Sequence, residues 1–150
     1  MTSLNATVRD RILAAMPAAS FNPPATREMI DAAQTTLGVT FPRWLESIYL
    51  ACDGFYGPTS VQYLYPLTGP DSVIELTRFL RGEWQLSWLD ESAIFSDNGG
   101  DGSNTVHWGI RNRELIEWCY GHDGEFKTLK EGFIDVLVRE QALWDEIDPS

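Results

Sequence analysis

Six side chains in the second half of the chain carry the groups that acid–base or metal chemistry uses: Asp97, Asp101, His107, Glu117, His122 and Asp123. Brought together, two imidazoles and four carboxylates would suit a hydrolase that activates water on a divalent ion. No spacing among them fixes such a geometry. The chain has no His-Glu-x-x-His, no paired Cys-x-x-Cys, no Gly-x-x-x-x-Gly-Lys phosphate loop and no Gly-x-Ser-x-Gly elbow. The stretch Asp97-x-Gly99-x-Asp101-Gly102 is outwardly like a calcium loop, but its third position is Gly99, and Trp108 sits at the twelfth, where a bidentate glutamate belongs. A hairpin turn accounts for it better, with glycines supplying positive φ and Asp97 and Asp101 capping backbone N–H groups. We therefore assign no catalytic residue, metal site or cofactor, and read the six residues as candidates for contact with a protein partner. A metal-assisted hydrolase built on Asp97, Asp101 and His107 is kept as the least favoured alternative.

Charge supports contact with a partner. The net charge of -11 is concentrated: residues 1–82 hold six basic and seven acidic side chains, whereas residues 83–150 hold five basic and fifteen acidic. Such a surface repels nucleic-acid phosphates and steers a basic partner toward itself. The basic residues are scattered, with Arg111-Asn112-Arg113 the nearest thing to a cluster, so nucleic-acid binding is set aside. The plainer account of the same acidity is solubility.

The elements that must position these groups follow from periodicity. A short leading helix spans residues 7–16, with Asn5 or Thr7 as its cap, and Phe21-Asn22-Pro23-Pro24 follows as a stiff extended linker. Thr26 caps a helix whose apolar residues Met29, Ile30, Ala33 and Leu37 recur at helical spacing, and Gly38 ends it. Pro42 is expected at the first position of the next helix, with Leu45, Ile48, Tyr49 and Cys52 as its stripe and Asp53-Gly54 as its stop. A strand is expected from Val61 to Leu67 and a helix from Asp71 or Ser72 with its apolar face ending before Gly82; residues 84–89 are ambiguous. From Ala93 the period becomes two: strands at 93–96, 105–110 and 115–120 form a meander, with the glycine-rich loop between the first two. A closing helix is expected from about Thr128 to Ile147, with Phe133, Val136, Leu137 and Leu143 or Trp144 turned inward. Strand alternation puts His107 and Trp108 on opposite faces, and tryptophan is the better inward residue, which leaves His107 facing outward.

This order of elements predicts one α+β domain, a twisted and largely antiparallel sheet flanked by N-terminal and C-terminal helices. At 150 residues and 43% hydrophobic content the chain can bury a core of its own, roughly 70% of its unfolded surface. Cys52 and Cys119 read as buried thiols rather than a disulfide. With no basic, apolar leader and no apolar run near the ~20 residues of a membrane span, the expected location is the cytoplasm.

The helix-turn-helix-turn segment of residues 24–54 resembles the opening of the SUKH superfamily, the Smi/Knr-like proteins. Later residues extend the resemblance to about residue 140: Gly99-Gly100-Asp101-Gly102, Glu117-Trp118, His122-Asp123, and Phe133 with Leu137. Gln34 and Asp53 depart from it, since the family often has an acidic residue and an asparagine there. The resemblance implies a non-enzymatic immunity protein that binds and neutralises a toxin, often a nuclease delivered by contact or secretion. An acidic surface fits a nuclease's cationic groove, and desolvated aromatics would anchor the contact. Tyr63, Tyr65, Trp84, Trp88, Trp108 and Trp118 are the available anchors, although core packing is the commoner role for any one of them. The alternative implied by eukaryotic relatives is an intracellular regulatory or scaffold module. Oligomeric state is left open between monomer and weak dimer.

Overall fold

A computed structural model describes residues 4–120 and 124–147. Helix α1 (Leu4–Ala15) leads into strand β1 (Ser20–Phe21), then helices α2 (Arg27–Leu37) and α3 (Arg43–Ala51). Strands β2 (Phe55–Tyr56) and β3 (Gln62–Leu64) precede helix α4 (Val73–Trp84). Strands β4 (Ser92–Asp97), β5 (Val106–Arg111), β6 (Glu114–Cys119) and β7 (Phe126–Thr128) follow, and helix α5 (Phe133–Ile147) closes the described fold. Every strand pairing is antiparallel, and the α+β class is as expected. The strands nevertheless divide into two sheets, β1-β2-β3 and β4-β5-β6-β7, joined where the Tyr65 N–H donates to the Phe95 carbonyl.

Local chemistry explains most boundaries. Thr26 accepts a hydrogen bond from the Met29 N–H, and Gly38, at φ 69°, supplies the left-handed residue that ends α2. Ser72 caps α4 in the same way through the Glu75 N–H. Pro42 lies one position earlier than expected: it is the N-cap of α3, where its missing N–H is equally harmless. Gln34 and Asp53, the two departures from the family pattern, both serve as backbone acceptors. The Gln34 side chain takes the Phe41 N–H in the turn between α2 and α3, and the Asp53 carboxylate takes the Leu67 N–H.

Four expectations need correction. The leading helix begins by Leu4, so Asn5 and Thr7 are inside it rather than capping it. Part of the expected linker is strand β1, which pairs through Ser20–Tyr56 and Phe21–Phe55, a partner 34 residues away. The strand expected from Val61 to Leu67 is limited to Gln62–Leu64, and the helix expected from Thr128 starts only at Phe133, after the short strand β7. Gly132 interrupts the helical run there, its N–H held by the Asp135 carboxylate. Between Trp84 and Leu89 the chain ends α4 at a left-handed Gln85 and turns through a short 3-10 segment, Ser87–Glu91.

The four-stranded sheet is covered on both faces. On one face Phe95, Trp108 and Ile110 join the main core with α1, α2, α3 and α5. On the other, Leu80 of α4 packs with Leu89, Ile94 and Trp118. Arg81 secures that second layer by donating to the carbonyls of Leu37, Leu89 and Ser92. Cys52 and Cys119 form no disulfide, and burial pushes the Cys52 thiol up to about 11. Among the described residues no helix is long and apolar enough to cross a membrane.

Candidate functional site

The glycine-rich loop joining β4 to β5 is built from its own side chains. Asp97 accepts the Gly99 N–H, and Asn98 accepts the N–H groups of Gly100 and Val106. A Cβ on Gly100 would sit 2.5 Å from the Asn104 carbonyl oxygen, so the close return of the chain requires glycine. The capping role expected of Asp101 belongs to Asn98 instead: Asp101 is exposed and makes no side-chain cap. Asp97 is the last residue of β4 and His107 its register partner on β5, which in turn pairs with Trp118 on β6. These three share the α4 face of the sheet.

There they lie close together at the loop end. The Tyr65 hydroxyl donates a hydrogen bond to the Asp97 carboxylate. The His107 Nδ1 faces the same carboxylate at 3.9 Å, and its Nε2 is hydrogen-bonded to the Tyr120 hydroxyl at 2.7 Å. The His107 ring stacks on Trp118 with centroids 5.7 Å apart. Tyr120 packs against Trp84, centroids 4.9 Å apart, with the Trp84 side chain within hydrogen-bonding reach of its hydroxyl. Burial drives the His107 pKa below 6.5, only partly countered by Asp97, so the ring is neutral at neutral pH. Burial, and then the Asp97 carboxylate, push the Tyr65 phenol well above its ordinary range.

The outward placement expected for His107 is therefore incorrect. Only 3% of it is exposed, because α4 and its aromatic neighbours roof the face that a one-sided sheet would leave to water. Trp108 does point into the main core as expected, and Tyr63 and Trp118 are likewise fully buried. Of the six aromatic anchors, Tyr65 and Trp88 are half-buried and Trp84, at 36%, is exposed.

Glu117 lies on the opposite face of the same sheet, paired with Trp108. It accepts the Trp108 indole N–H at 2.9 Å and ion-pairs with Lys127 at 3.0 Å and Arg139 at 2.8 Å. Burial opposes its ionisation, but the hydrogen bonds from Lys127 and Trp108 with the two positive charges hold its pKa below the usual carboxylate value. So the structure brings Asp97 and His107 together, sets Asp101 on the adjoining loop, and sends Glu117 elsewhere. His122 and Asp123 lie outside the described residues. Tyr120, absent from the candidates read from the sequence, is the hydrogen-bond partner of His107; its signal was strand alternation, which sets it on the face of Trp118 and His107. Among the described residues no group of three His, Cys, Asp or Glu side chains is placed to hold a metal ion.

Helices leading a pair of antiparallel sheets, a glycine-aspartate loop at one sheet end and a closing helix define an α+β domain. The chain belongs to the SMI1 / KNR4 family (SUKH-1), whose profile matches residues 24–139. This is an immunity-protein type of domain, generally non-enzymatic and directed at protein partners. No curated protein matches the chain.

Proposed function

We propose that this protein is a cytoplasmic immunity protein that binds and neutralises a cognate toxin of a polymorphic, contact-dependent or secreted system, without catalysing a reaction. The observation that carries this reading, beyond the family itself, is the concentration of fifteen acidic against five basic side chains in residues 83–150. Asp101 on the loop tip, and Glu83, Asp90, Glu91, Glu114 and Glu125 elsewhere in that half, are exposed. A toxin with a cationic surface, such as a nuclease groove shaped for phosphates, is the partner such a field selects. Asp97 and Asp101 at the loop end are the contacts we favour. His107, being buried, acts by holding Tyr120 in place, and Glu117 by bracing the opposite face. We read the chain as one domain, with residues 1–23 preceding the part that matches the family.

Co-expression with the toxin domain encoded beside this chain tests the proposal. Growth should be restored, and the purified complex should form more slowly as salt rises. A toxin that stays active and forms no complex contradicts it, and specific assembly with a housekeeping protein instead favours a regulatory or scaffold module.

A further inference from the structure

We propose that the outward face of α4 docks on the basic partner, with Phe79 entering an apolar depression whose rim carries lysine or arginine. This rests on the toxin-binding reading and adds to it a surface and the complement that surface needs.

Helical spacing defines the face. Val73, Thr77 and Leu80 are the buried side of α4. The opposite stripe, Glu75, Arg78, Phe79, Gly82 and Glu83, therefore turns to solvent, and all five residues are exposed. Phe79 is 62% exposed, the most of any aromatic side chain among the described residues. A ring in that position contributes nothing to the core and gains its hydrophobic free energy only when another surface covers it.

The second observation does not depend on the ring. Gly82 lies inside α4, where glycine is a poorer helix former than alanine. Nothing in the fold asks for it: its φ is not left-handed, and an added Cβ would meet no atom within 4 Å. It stands three residues after Phe79, the spacing at which a side chain would neighbour the ring. Without one, that flank of Phe79 stays open to an incoming surface.

Charge selects the occupant. Glu75 and Glu83 lie one turn before and one turn after Phe79. Glu83 has no ion pair among the described residues, and Glu75 has only the exposed Arg78, at 3.5 Å. Arg81, the other cation of α4, is turned inward to the carbonyls of Leu37, Leu89 and Ser92. The negative field continues toward the loop end. Exposed Asp71, just before the Ser72 cap, adds negative potential at the Tyr65 phenol, whose hydroxyl donates to Asp97. Phe79 follows about 10 Å along the helix from that cap. An aromatic anchor within a negative rim fits an apolar pocket with a positive one.

Phe79→Ala, Gly82→Ala and Glu83→Lys would each be made in the full chain, unfolded in urea and titrated with the toxin domain encoded beside it. Phe79→Ala should weaken binding about 30-fold, mostly through faster dissociation, with its unfolding midpoint little changed. Gly82→Ala should unfold at higher urea and yet bind about fivefold more weakly, a pairing that a purely structural role does not produce. Glu83→Lys should slow association about threefold at low salt and hardly at all at high salt. Parent-like binding by folded Phe79→Ala and Gly82→Ala overturns the α4 face and leaves the toxin reading standing. A parent chain that forms no complex removes that reading, and this face with it.

Discussion

Two carboxylates two strands apart on one sheet, Asp97 and Glu117, meet opposite fates. Glu117 takes an indole N–H, an arginine and a lysine, so its charge is spent within the fold. Asp97 takes a phenol and a backbone N–H and faces a neutral imidazole, so its charge remains unpaired among the described residues. The difference comes from what covers each face. α5 and β7 bring Arg139 and Lys127 to one side, whereas α4 and its neighbours bring aromatic rings to the other. An anion paired internally stabilises its own domain; one left beside neutral donors is available to another molecule.

The comparison breaks most visibly in stability. Glu117→Ala strands the buried Trp108 indole N–H and releases Arg139, and should cost about 2–3 kcal/mol in urea unfolding while the folded fraction binds the toxin as before. Asp97→Asn should do the converse: its amide keeps one acceptor oxygen and turns the other position into a donor that the Tyr65 hydroxyl oxygen can accept, so its unfolding midpoint should move less than that of Glu117→Ala, and its affinity should fall about tenfold, or ~1.4 kcal/mol. Raising salt from low to several-fold physiological levels should slow association by about 10-fold or more in stopped flow, with dissociation little changed, because exposed charges steer the encounter.

Acidity provides a finer discrimination. The folded protein holds the His107 pKa below 6.5, so the unfolded chain takes up its proton first as pH falls. The stability tied to neutral His107 is complete above about pH 6.5 and declines as pH falls toward the folded value, by at most about 1.4 kcal/mol per unit. His107→Gln should flatten that slope in thermal scans. The smallest effect is expected at Glu140, whose pKa burial raises although the Tyr63 hydroxyl and Arg139 oppose it. At neutral pH its ionised form is unfavourable there. Glu140→Gln keeps an acceptor for Tyr63 and should raise the melting temperature slightly, the gain fading as pH falls because Glu140 in the fold takes up its own proton at a pH above the ordinary glutamate value.

The parts of this fold that could be read from the chain are those decided by neighbours in sequence. Thr26, Gly38, Ser72 and the glycines of the 97–104 loop act within a few residues, and the two-residue period of the meander is local too. What was not legible depends on distant segments. Two-residue β1 has too little sequence to announce itself and exists only because β2 lies beside it. His107 is buried because α4 roofs its face, which its alternation with Trp108 cannot reveal. The candidate site divides likewise. Asp97 and His107 could be suspected as partners across a hairpin, but Tyr65 arrives from just beyond β3, 32 residues earlier. Arg139, 22 residues beyond Glu117, alters the role of a carboxylate that the chain presents as equivalent to Asp97.

The central claim, that Asp97 is held for a partner while Glu117 is held for the fold, is tested most directly by measuring both properties on both variants. Asp97→Asn and Glu117→Gln would each be purified, unfolded in urea and titrated with the adjacent toxin domain. The account predicts that Asp97→Asn loses affinity with the smaller change in stability and Glu117→Gln loses stability at unchanged affinity. Loss of affinity in Glu117→Gln alone, with Asp97→Asn binding like the parent protein, would contradict it.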